Sequence, residues 1–424
     1  MKPKRSPFRK ILYVVLCLTI GIGFGFLVGL FAGEVMLSTA SGGLFLLMIG
    51  LLIVMLIVAV FLQTVIHEAG HLLFGLLSGY RFCSFRIGNF LWLKQDGRLR
   101  CRRYRIPGTG GQCLMSPPDP VNGKIPYVLY NLGGVFLNLI SAVCFGILCL
   151  LTSFFPVLSV FFFLLAIFGL LFALMNGIPM SAAVDNDGRN AISLGKRPEA
   201  LHAFWLQMKI HAELANGIRP KDLPAEWFPM PSDMPLDNSM TAAACVFTFS
   251  RAMDAMDFAL AEQIAQELLT NAAGLVELHR MLLQAELVYC ELVGANRPER
   301  LAELQDKRFQ KITKAMKSNP SILRILYTCA LLDAKSPKKA KHWLKQFERT
   351  AKKYPYPAEL ESERELIAHA QACALTELPT RSPEVKTGFA NVEPVWSRPQ
   401  PPDTAPAERT SNTAHYESEN QIGQ

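Results

Sequence analysis

Thr64-Val-Ile-His-Glu-Ala-Gly-His71 sets three titratable side chains inside an apolar run. From Leu44 to Leu77 the chain is almost wholly Leu, Ile, Val, Met, Phe and Gly. His67, Glu68 and His71 are its only titratable groups, and Gln63 and Thr64 are their polar neighbours. On a helix, positions four apart share a face. His67 and His71 therefore point the same way, and Glu68 lies one residue round, within reach of anything both histidines hold. HExxH is the arrangement in which two imidazoles bind a metal and the Glu acts as general base toward the attacking water. Titratable groups in a membrane segment are costly, which makes them a functional-site hypothesis by default.

Working outward, the 424 residues are half hydrophobic and carry a formal charge of +8. The chain is long enough for two domains at about 100–200 residues each. The basic residues cluster beside apolar runs and not on a face interleaved with aromatics. That distribution fits a membrane protein with a basic cytoplasmic surface and argues against a nucleic-acid partner. The ten cysteines are scattered without a CxxC pair. They read as small hydrophobes in a reducing or lipid environment, which disfavours a cysteine zinc site.

Lys2, Lys4, Arg5, Arg9 and Lys10 precede an apolar stretch from about Ile11 to Ala32. It exceeds the 7–15 residues of a signal-peptide core and matches a spanning helix of about 20. The second apolar stretch is too long for one straight span. It must tilt, run beyond the bilayer core, or break off its last turns as a separate helix before Gly79. Residues 79–125 hold nine Lys and Arg against Asp96 and Asp119. Alternation around Arg98–Arg105 and the Pro107-Gly-Thr-Gly-Gly111 run predict short strands and a tight turn at the membrane edge. This loop reads equally as a headgroup-facing surface or as a strand edge that could pair with a peptide. Third and fourth spans, about Tyr127 to Thr152 and Pro156 to Asn176, lack charge and are joined by a short hairpin. The positive-inside rule places the N-terminus, the basic loop and the segment after Asn176 in the cytoplasm. His67 and His71 then lie toward the cytoplasmic end of span two, on the side where span four emerges.

Two histidines do not complete a catalytic zinc site, since a third protein ligand is usual. Span four ends in Asn176-Gly-Ile-Pro-Met-Ser-Ala-Ala-Val-Asp-Asn-Asp-Gly188, which offers Asp185 and Asp187 on that same membrane side. Here the chain resembles the site-2 protease family of intramembrane zinc metalloproteases, over roughly residues 44–195. His67, Glu68 and His71 match that family's HExxH. Asn176, Pro179, Asp187 and Gly188 match its N-x-x-P…D-G motif, and Gly134 and Asn138 match a Gly and an Asn four apart on the intervening span. The resemblance implies one Zn2+ held by His67, His71 and Asp187, with Glu68 as catalytic base and Asn138 and Asn176 as substrate-binding residues. Two departures stand out: Val135 follows Gly134 where the family often has Pro, and the gap from Pro179 to Asp187 is longer than usual. The second keeps Asp185 as a rival ligand.

After Gly195, apolar residues recur at three- and four-residue spacing, with helices expected near 198–215, 241–253, 258–269, 275–292, 298–316, 322–332, 337–351 and 359–374. Pairs begin at intervals of about 35–45 residues, the size of helical-hairpin repeats. The expected organisation is an all-α polytopic membrane domain over 1–195, with about four transmembrane helices and a small β-hairpin-like cytoplasmic loop. A soluble, tetratricopeptide-like helical domain over 196–376 and a disordered tail over 377–424 follow. The functional expectation is a zinc-dependent endopeptidase, multi-pass in the plasma membrane with both termini cytoplasmic. It would cut membrane-spanning or membrane-associated peptides near the cytoplasmic face, with a cytoplasmic protein partner bound through the helical domain. The competing expectation is an inactive membrane scaffold or receptor that works through that domain.

Overall fold

In a computed structural model, residues 7–34, 42–95, 97–104, 109–181 and 185–376 are described. The expected tail over 377–424 and the Pro107–Gly108 half of the expected turn lie outside them. The second apolar stretch is one unbroken helix, α2 (Gly42–Leu77), which rules out a separate terminal helix for the histidines. At 1.5 Å per residue it is about 54 Å long, well beyond the roughly 30 Å of a hydrocarbon core. It ends where Ser78 and Gly79 turn the chain, and Gly79 takes a positive φ of 82°. Helices α3 (Tyr127–Leu151) and α4 (Pro156–Gly177) follow the sequence expectation closely. With α2 they are the three described helices long and apolar enough to cross a membrane. The expected first span coincides with α1 (Pro7–Ala32), whose described apolar stretch, Gly21–Ala32, is shorter than a span.

The three long apolar helices invert the usual pattern of burial. Leu46, Leu47, Ile53, Val54, Ile57 and Phe61 of α2 face outward, whereas Met55, Ala59, Gln63, His67 and His71 form a buried stripe at four-residue spacing. So much exposed aliphatic surface would be a liability in water and is ordinary against lipid. The buried stripe meets Gly134 and Asn138 of α3 and Leu165 and Gly169 of α4. Nearer the other end of α2, Met55 and Ala59 pack with Ala32 of α1 and Val160 and Leu164 of α4.

The basic loop folds into four antiparallel strands, β1 (Arg81–Ile87), β2 (Phe90–Gln95), β3 (Arg98–Arg103) and β4 (Gly111–Ser116), in the order β3-β2-β1-β4. Arg98, Arg100, Arg102 and Arg103 share an edge strand whose side chains are all exposed. The opposite edge, β4, packs against the end of α2 through Met115, which fills the space beside Gly75. Helix α6 (Pro198–Ala215) covers the same strand, with Phe204 and Met208 joining Tyr80, Cys113 and Met115 in one apolar cluster. Trp205 Nε1 donates to Pro118 O at 2.9 Å. Farther along the sheet, Tyr104 stacks edge-on with Tyr354 and Tyr356, and Gln95 Nε2 donates to the main chain of Ala215 and Pro355.

Beyond α6 the chain is helical: α7 (Ser239–Asp254), α8 (Phe258–Asn271), α9 (Glu277–Val293), α10 (Pro298–Leu304), α11 (Lys307–Ala315), α12 (Pro320–Thr328), α13 (Pro337–Ala351) and α14 (Pro357–Thr376) follow, with α5 (Asp187–Ser193) standing before α6. One expected helix, 298–316, is two, because the Asp306 carboxylate accepts from the main-chain N–H of Arg308 and Phe309 and starts a new helix there. Arg324 of α12 is buried between Glu286 and Glu363, at 2.5 and 2.6 Å, and lies over the Tyr289 ring.

Candidate metal centre

His67 and His71 arrive on the buried stripe of α2, with Nε2 atoms 3.2 Å apart. Asp187 opens α5, and its Oδ2 lies 3.2 Å from His67 Nε2 and 3.4 Å from His71 Nε2. Among the described residues these three form the one group of His, Cys, Asp and Glu able to hold a metal ion. The fold therefore brings Asp187, and not Asp185, to the histidines. Asp185 pairs through its main chain with Ser181, and its carboxylate is not among the atoms gathered there.

Local chemistry explains how Asp187 gets there. Asn186 caps α5 by accepting from the main-chain N–H of Arg189 at 3.0 Å, and its Oδ1 also accepts from Met180 N at 2.9 Å. Its Nδ2 donates to the carbonyls of Met175 and Ile178 at the end of α4. One side chain thus splices the end of α4 to the start of α5. Gly188 permits the contact, since a Cβ there would fall 2.0 Å from Gly177 O. Asn186 went unnoticed in the sequence, although an Asn directly before a short helix is a standard capping signal.

The donor atoms fit a metal. His71 Nδ1 lies 2.8 Å from Tyr130 O. A carbonyl oxygen only accepts, so the ring proton sits on Nδ1 and the Nε2 lone pair faces the centre. Asp187 Oδ2 is buried and takes no hydrogen bond. A tetrahedral ion with bonds of about 2.0–2.1 Å sets its ligand atoms about 3.3–3.4 Å apart, the spacing seen here.

Glu68 is buried beside the histidines, and the first residue of β4 lies directly on it: a Cβ at Gly111 would come 2.5 Å from Glu68 Oε1. That strand end is held by Arg86, which is 1 % exposed. Arg86 donates from Nη1 to Gly88 O at 2.8 Å, and from Nη2 to Gly111 O at 3.1 Å and to the Thr109 hydroxyl. Burial lowers the Arg86 pKa from its ordinary value, and the nearby Glu68 carboxylate partly restores it. Burial, reinforced by the nearby Glu68, pushes the thiol pKa of Cys113, two residues along β4, above its ordinary value.

The other expected site residues divide. Gly134 lies against the His67 ring, where a Cβ would sit 2.6 Å from Nδ1. Asn138 is fully buried, with Oδ1 2.7 Å from His67 Nδ1 and Nδ2 bonded to Gln63. Asn176 donates to Phe172 O one turn back on its own helix and remains partly exposed. Gln63 and Arg86 were not singled out as site residues from sequence. Gln63 could have been, because it is one turn before His67 on the same face of an apolar run. Comparison with models of known protein families, with curated proteins and with solved structures finds no match to this chain.

Proposed function

We propose that the chain is a zinc-dependent intramembrane endopeptidase. One observation carries the reading: His67, His71 and Asp187 converge on the inward face of a membrane helix, with Glu68 next in sequence and buried beside them. Two imidazoles and a carboxylate are a catalytic zinc set, one position short of closure. Bound Zn2+ would supply Lewis acidity, lowering the pKa of water and polarising the scissile carbonyl. Glu68 takes the proton of the attacking water as its oxygen adds to the carbonyl carbon. It then hands a proton to the leaving amine nitrogen as the C–N bond breaks. The substrate must be extended, because a helical peptide bond is shielded. Asn176 and the Thr109–Gly111 segment are candidates for holding it, and β4 offers a strand edge beside Glu68.

In this reading the protein is multi-pass in the plasma membrane, with four spans, α1 to α4, and cytoplasmic termini. The basic sheet then lies at the cytoplasmic headgroups. The helical region is a tetratricopeptide-like recognition module, supported by a cavity of about 460 Å3 lined by residues such as Leu214, Val246, Phe247, Leu282 and Leu366. That cavity also favours the second reading, a scaffold or receptor without catalysis. Zinc content and cleavage of a membrane-spanning reporter separate the two. The wild-type protein should hold one zinc and cleave, and Glu68→Gln should keep zinc and lose cleavage. Cleavage by Glu68→Gln at the wild-type rate would refute the mechanism, and a zinc-loaded wild type that cleaves no membrane-spanning reporter would favour the scaffold.

A further inference from the structure

An imidazole can ligate through Nε2 only while its proton sits on Nδ1. For His71 the main chain decides, through Tyr130 O. For His67 the partner is a side-chain amide, which could present either its oxygen or its nitrogen. We propose that Asn138 is a positioning residue for the metal centre, held in one amide orientation by Gln63 and thereby fixing the tautomer of His67. The inference rests on the reading of His67, His71 and Asp187 as metal ligands.

The polarity can be followed from a group with no choice. Leu165 O, a backbone carbonyl of α4, only accepts, so the Gln63 atom 2.8 Å from it is Nε2. Gln63 Oε1 therefore faces the other way, toward Asn138 at 2.8 Å and the Ser141 hydroxyl at 3.2 Å. The Asn138 atom that meets it must be Nδ2, which also donates to the main-chain oxygen of Gln63 at 3.2 Å. Asn138 Oδ1 is left facing His67 Nδ1 at 2.7 Å, and an oxygen there demands N–H on the ring. Turning the amide over would set Oδ1 against two carbonyl oxygens. Gln63 and Asn138 are both fully buried, so no water can relieve that contact. The same burial leaves Asn138 no open face for a substrate, and both of its amide atoms are already engaged.

The two histidines are thus set by different devices, one in the backbone and one in replaceable side chains. The test uses the full-length protein in detergent and measures zinc dissociation constants by chelator competition. The variants are Asn138→Leu, Asn138→Asp, Gln63→Leu and the Gln63→Leu/Asn138→Leu pair. Asn138→Leu should weaken zinc by about 10–100-fold, the usual cost of losing a ligand's outer partner. Asn138→Asp, protonated in this buried place, keeps one donor and one acceptor and should restore affinity. Gln63→Leu should weaken zinc less than Asn138→Leu, because the main-chain oxygen of residue 63 still orients the amide. In the Asn138→Leu background it should add nothing, since its effect runs through Asn138. Cobalt loaded in place of zinc gives a spectral readout: Asn138→Leu should alter the visible absorption and Asn138→Asp should not. Unchanged zinc affinity in Asn138→Leu, or additive losses in the pair, would overturn the inference alone. A wild-type protein that takes up no zinc would overturn it together with the reading of the centre.

Discussion

Helices α2 and α3 cross at Gly70 and Gly133, and replacing Gly70 by Ala tests how the histidines are held. The added Cβ would sit 2.3 Å from Gly133 O and 2.7 Å from its carbonyl carbon. Both are backbone atoms, so no side-chain rotation can relieve the clash. A carbon tolerates a carbonyl oxygen at about 3.3 Å, so the helices must part by about 1 Å. His67 Nδ1–Asn138 Oδ1 at 2.7 Å and His71 Nδ1–Tyr130 O at 2.8 Å span the same crossing. An extra ångström takes each to roughly 3.7–3.8 Å, beyond hydrogen-bond range. At about 10–100-fold in metal affinity for each outer partner lost, the expected weakening is roughly 10^2–10^4-fold. Chelator competition on purified protein measures it, with Gly50→Ala as the control. Gly50 is on the same helix, and a Cβ there meets nothing within 4 Å. If Gly70→Ala binds zinc as tightly as Gly50→Ala, the crossing does not set the site and the reasoning fails.

Under the proposed mechanism, Gly111→Ala should leave zinc in place yet lower cleavage by about 10^2-fold or more, since the new methyl displaces the Glu68 carboxylate, the proposed general base; equal loss of metal and activity would contradict this. In the helical region, Arg324→Met leaves the Glu286 and Glu363 carboxylates facing each other and should cost about 3–5 kcal/mol, read from denaturant midpoints. Stability there should also depend on pH. Burial, opposed in part by Arg324 and reinforced by Glu286, pushes the Glu363 carboxyl up to about 7 from its ordinary 4.5. Between those values the folded chain keeps a proton that the unfolded chain has lost, so stability falls as pH rises through the window. Glu363→Gln should flatten that slope in thermal unfolding.

The three helices long and apolar enough to cross a membrane were legible because lipid imposes a coarse rule: long apolar helices, with any titratable residue inside them needing a reason to be there. His67 and His71 announced themselves through four-residue spacing, a property of one helix alone. The carboxylate was harder. Asp185 and Asp187 are two apart, and the choice depends on how Asn186 caps α5 against the end of α4, a contact between elements that spacing does not encode. Asn138 shows the same limit more sharply. Its place in a glycine-containing motif was visible, but its partners Gln63 and His67 come from another helix, and only packing makes them neighbours. In the helical region after α5 the apolar period located most helices within a few residues. It ran through the break at Asp306, where a polar cap interrupts the helix without interrupting the period.

The candidate ligands of the centre come from α2 and from a short helix that the chain reaches only after α3 and α4 are complete. A bound ion would therefore be a cross-link that cannot form until the helices have been inserted and packed. Its binding energy would also be folding energy, worth about 4 kcal/mol when the free ion exceeds its dissociation constant a thousandfold. Metal supply in the cell would then govern how much of this protein persists, as well as how fast it works. A chain starved of the ion would be the looser one and the first to meet the membrane's own quality control.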